Sequence, residues 1–79
     1  MLKKAKAIFK EISEILYDMD NKHMDEFIYE MEMEIKKENS IRVIQESINE
    51  IEMYVSQVSD VDPEIMAHLD ELYAELLEL

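Results

Sequence analysis

Ile41, Ile44, Ile48, Ile51, Val55 and Val58 recur at alternating steps of three and four residues, the spacing that lines one side of a helix. Burying each such branched side chain is worth roughly 1.5–3 kcal/mol, so the rest of the chain must supply surfaces of the same kind to cover this one. Three further segments do. From Leu2 to Met19 the seam is Leu2, Ala5, Phe9, Ile12, Leu16 and Met19, widened on one flank by Ile8 and Ile15. Residues 22–38 carry Met24, Ile28, Met31 and Ile35, with Phe27 at the edge. Residues 63–78 carry Ile65, Leu69, Leu72 and Leu76, followed by Leu79, with Met66, Tyr73 and Leu77 on a strip about 100° round the helix.

The breaks between these segments are chemically marked. Asp20 and Asn21 are good N-caps for a helix starting near Lys22. Asn39 offers a left-handed residue to close that helix, and Ser40 a cap for the next. Asp62-Pro63-Glu64 combines an N-cap, a proline at the first helical position and an acid in the first turn, the strongest start signal in the chain. With no glycine and a single proline, the chain lacks the usual residues for β-hairpin turns.

Four helices of similar length (about 2–19, 22–38, 41–58 and 63–78) joined by short connections predict an all-α, up-down-up-down antiparallel four-helix bundle over 1–79, a single small domain. The alternative is a three-helix protomer, dimeric, in which residues 22–58 form one long bent second helix, because Asn-Ser is a weaker breaker than Gly or Pro. In the bundle the start of the first helix lies beside the end of the fourth. Lys3, Lys4, Lys6 and Lys10 are then expected to meet Asp70, Glu71, Glu75 and Glu78, each group correcting the other's mismatch with its helix dipole.

Charge and composition narrow the function. Twenty acidic residues against eight basic give a net −12, which argues against direct binding of nucleic acid or anionic lipid and for a protein partner, basic in character, or for self-association as a homodimer. Without cysteine there is neither a disulfide framework nor a thiolate metal site. No apolar run is long enough to span a membrane, and the opening MLKKAKAIFKEI is too charged for a signal sequence, so a cytoplasmic location is expected.

No constellation of catalytic residues emerges. His23 and His68 stand in no HxxxH or ExxH arrangement, and every seam position is apolar, so the inward carboxylates of a dimetal bundle are missing. The stretch from Asp18 to Lys22 opens like a calcium loop but has His23 where glycine is needed and Tyr29 where a bidentate glutamate is needed. Glu11 with Glu14, and Glu75 with Glu78, give the ExxE half of the magnesium cage of all-α nucleotide pyrophosphohydrolases; the ExxD half occurs nowhere. No cofactor and no metal are expected.

Several apolar residues remain outside the seams. Met33 projects about 180° from the second seam with Tyr29 near it, and Met53 points away from the third. With Met66, Tyr73 and Leu77 they are the expected protein-contact residues. The sequence therefore reads as a non-catalytic protein-binding module, an adaptor or inhibitor of a larger partner or a self-associating chain. Two other readings are an acidic nucleic-acid mimic blocking a DNA- or RNA-binding protein, and the pyrophosphohydrolase-like enzyme.

Overall fold

Each amphipathic segment is a helix in the computed structural model, which describes residues 1–79: α1 (Leu2–Tyr17), α2 (Lys22–Lys37), α3 (Ile41–Ser56) and α4 (Pro63–Leu77). There are no strands, and residues 38–40 separate α2 from α3, which removes the long-helix alternative. The helices end one or two residues earlier than periodicity predicts. Met19 and Val58 keep the apolar phase, but their N–H groups bond three residues back, to Leu16 (3.1 Å) and Val55 (3.0 Å), tightening the last turn out of α geometry.

Caps explain the starts. Asn21 accepts from the Met24 N–H (3.0 Å), Ser40 from Val43 (3.2 Å) and Asp62 from Glu64 (2.8 Å). In place of glycine, Asp20 (φ 54°) and Asp60 (φ 73°) take the left-handed conformation, which aspartate tolerates better than most residues. Asn39 does not adopt it; α2 instead closes through Glu38 in an extended conformation. Helix α1 starts with no side-chain cap and no acid in its first turn.

Neighbouring helices run antiparallel. Phe27 stacks on Tyr54 across α2 and α3 (centroids 4.8 Å apart), Gln45 on α3 donates to the Leu76 carbonyl at the end of α4 (3.2 Å), and His68 on α4 faces Glu11 on α1 (4.0 Å). Helices α1 and α3 also pack across the diagonal, whereas the backbones of α2 and α4 stay apart, giving a flattened bundle of 32 × 23 × 17 Å. The sequence accounts for this shape. Helices α1 and α3 bury six and five residues and form the inner pair; α2 and α4 bury four each and cover its two sides. Seventeen buried apolar residues make one core. No helix is long and apolar enough to cross a membrane.

Two serines are buried on the sides of α1 and α3 that meet α2. Ser13 lies on α1 between Phe9 and Tyr17, both of which meet α2, and Ser47 lines a depression with Met31 of α2. The Ser13 hydroxyl has no hydrogen-bond partner. Its desolvation is uncompensated and alanine is a better helix former, so Ser13→Ala is expected to raise stability by about 1 kcal/mol, or roughly 4–8 °C in Tm. A fall in Tm would show that the hydroxyl holds a bond the packing needs.

The expected ion pairs between α1 and α4 are not formed. The two helix ends do lie side by side, but none of Lys3, Lys4, Lys6 or Lys10 is within 4.0 Å of an acid. The strip of α1 that meets α4 holds Glu11, Ile15 and Asp18. Lys6 lies on the opposite flank, beside Glu32 and Lys36 of α2, and Lys3 and Lys10 lie within about 60° of it by helical geometry. The ion pairs present are exposed contacts of Arg42 with Glu38 and Glu46 and of Lys37 with Glu34, which contribute little to stability.

Candidate functional site

The six sequence-predicted contact residues do not converge. Tyr29 (59% exposed) and Met33 lie on the outer side of α2, and Met53 (66% exposed) on that of α3. Met66 and Leu77 belong to α4, across the inner pair from α2, with Met66 half-buried against the core and Leu77 partly exposed. Tyr73 is a core residue at 2% exposure, which corrects its reading as a contact residue. Its part of the strip is covered by α3, whose Gln45 reaches the end of α4 and whose Glu52 lies near the phenol. Burial, reinforced by the negative charges of Glu52 and Asp70, raises the Tyr73 pKa well above the usual value, and its hydroxyl has no partner.

A second perturbed phenol ties α1 to α2. Tyr17 donates to a Glu32 carboxylate oxygen at 2.5 Å, and burial, that bond and the charge of Glu32 all favour its protonated form. No three histidine, cysteine, aspartate or glutamate side chains are grouped so as to hold a metal ion. Glu11, Glu14, Glu75 and Glu78 are all exposed, and Glu11 turns to His68.

A different region draws apolar and charged residues together: the end of the bundle that holds the α1–α2 and α3–α4 connections. Met19, Met24, Val58, Val61 and Ile65 form the floor of a depression of about 330 Å³, with Asp60 and Asp62 on its rim. On the far side of Ile65 a groove between α1 and α4, about 400 Å³, is lined by Ile15 with Asp18, Glu64 and His68. Ile65 belongs to the α4 seam by periodicity, yet it is 38% exposed, because it lies in the first turn of α4, at the level where α1 and α3 are ending. Periodicity names the face on which a side chain lies. It carries no information on whether a neighbour extends far enough to cover it, and that is why sequence reasoning passed over this site.

Charge is segregated along the same axis. When each helix is divided at its midpoint, the half with the termini and the α2–α3 connection holds six basic residues (Lys3, Lys4, Lys6, Lys36, Lys37 and Arg42) and eight acidic ones, net −2. The other half holds only Lys10 and Lys22 against twelve acids, net −10. Compared with known proteins, the chain matches no family model, no curated protein and no solved structure.

Proposed function

We propose that the protein is a non-catalytic binding module whose partner is a basic protein, engaged by the end of the bundle that carries the α1–α2 and α3–α4 connections. The observation that supports this reading is the coincidence, at one end, of most of the negative charge with an exposed apolar floor around Ile65. A carboxylate-rich rim attracts and orients a cationic surface, and apolar area inside the rim supplies the contact that holds it. Self-association is the weaker reading, since pairing two copies through this end would bring like charge against like charge.

Neutralising the rim tests the proposal without unfolding the chain. Asparagine caps a helix as well as aspartate does and is equally tolerant of the left-handed conformation, so the combined Asp18→Asn, Asp20→Asn, Asp60→Asn and Asp62→Asn variant retains the loop geometry. In capture from cell extract, a partner held by the wild-type chain is expected to be lost at least tenfold by this variant. A control with the same charge change at the opposite end, Glu30→Gln, Glu34→Gln, Glu75→Gln and Glu78→Gln, should retain it. Equal loss in both variants would refute the assignment to this end.

A further inference from the structure

We infer that the element recognised is a basic amphipathic helix, which straddles Ile65 with one apolar side chain in the depression beneath the α3–α4 connection and a second in the groove between α1 and α4. This deepens the protein-binding reading above and rests on it. Three observations carry it.

The first is the shared wall. Ile65 lines both the 330 Å³ depression and the 400 Å³ groove, so two recesses flank one side chain. Apolar residues at i and i+4 of a helix stand about 5–6 Å apart, a spacing that spans one isoleucine. The second is the groove's construction: antiparallel neighbours α1 and α4 present Ile15 and Ile65 between them, the ridge-and-groove surface on which a further helix packs. The third is the sign of the rim. Asp60 and Asp62 on one side and Asp18 and Glu64 on the other surround the apolar floor; no lysine or arginine lines either recess, and the one basic side chain there, His68, faces Glu11. A helix with apolar residues on one face and lysines or arginines around them complements both features.

A second copy of this chain does not. Its own exposed i, i+4 apolar pair, Tyr29 and Met33, sits on α2 among Asp25, Glu26 and Glu30, so docking it here would set acid against acid.

The decisive variant is Ile65→Asp. It makes the site more acidic, so attraction by charge alone predicts unchanged or tighter binding of a cation, whereas loss of the apolar wall predicts weaker binding. The probe is a synthetic 16-residue peptide of leucine and lysine with leucines at helical i, i+4 spacing, titrated into the full chain in low salt. A scrambled peptide of the same composition is the control. The wild-type chain is expected to bind the patterned peptide at least tenfold more tightly than the scrambled one. Ile65→Asp should erase that preference, and Ile65→Ala, a change compatible with the helix, should reduce it severalfold. Equal binding of both peptides, with Ile65→Asp neutral or tighter, would overturn the helical-anchor inference while leaving an acidic site for basic partners. Failure of both peptides to bind would remove the basic-partner reading itself.

Discussion

Ile48→Ala is expected to lower stability by about 2–5 kcal/mol, the range for truncating a fully enclosed isoleucine that leaves a cavity. Ile48 is 0% exposed and lies on α3, one of the two inner helices, which packs against α1, α2 and α4. Single domains of this size are held by roughly 0.05–0.15 kcal/mol per residue, and the substitution therefore removes a large share of the total. Thermal unfolding followed by far-ultraviolet circular dichroism should show Tm falling by on the order of 10–30 °C. Met53→Ala, at an exposed position on the same helix, should change Tm by only a few degrees. Similar small effects for both variants would mean that the α3 seam is not enclosed at Ile48.

Tyr73→Phe should act in two directions that depend on pH. At neutral pH it removes a buried hydroxyl with no partner, and a gain of about 1 kcal/mol is expected. In alkali the wild-type phenol keeps its proton in the folded chain after the unfolded chain, with a tyrosine pKa near the usual 10, has begun to lose it. The unfolded state then binds fewer protons, so stability is undiminished below about pH 10 and falls above it, by up to about 1.4 kcal/mol per pH unit until the folded pKa is reached. Phenylalanine cannot titrate. Denaturant unfolding at pH 8 and pH 11.5 should therefore show the advantage of Tyr73→Phe widening with pH; an advantage that stays constant would mean that the phenol ionises freely in the folded protein.

Features set by adjacent residues were legible before the fold was known. The Asp62-Pro63-Glu64 start, the Asn21 and Ser40 caps and the break between α2 and α3 all follow from side chains competing for the first backbone N–H groups or from a phase that fails locally. Features set by which helix flanks which were not. Lys6 and Glu11 both lie outside the α1 seam, but one faces α2 and the other α4, and the pattern of apolar residues is nearly silent on that choice. Tyr73 was misread for the same reason, since a strip beside the seam is core or surface according to which neighbour leans on it. Ile65 was misread for a different one: its face was correct, and the covering helices run out beside it. The second error concerns the candidate site, which is assembled from helix ends and connections and so escapes a rule built on repeating turns.

The uneven placement of charge between the two ends gives the molecule a permanent dipole moment along the bundle. A cationic body approaching from any side exerts a torque that swings the negative pole toward it, so rotational search is shortened before surfaces touch. Ions in solution damp that torque over about 8–10 Å at ordinary ionic strength. Added electrolyte would accordingly slow the encounter more than it hastens the parting, because the apolar contact proposed around Ile65 would, once made, be nearly indifferent to salt.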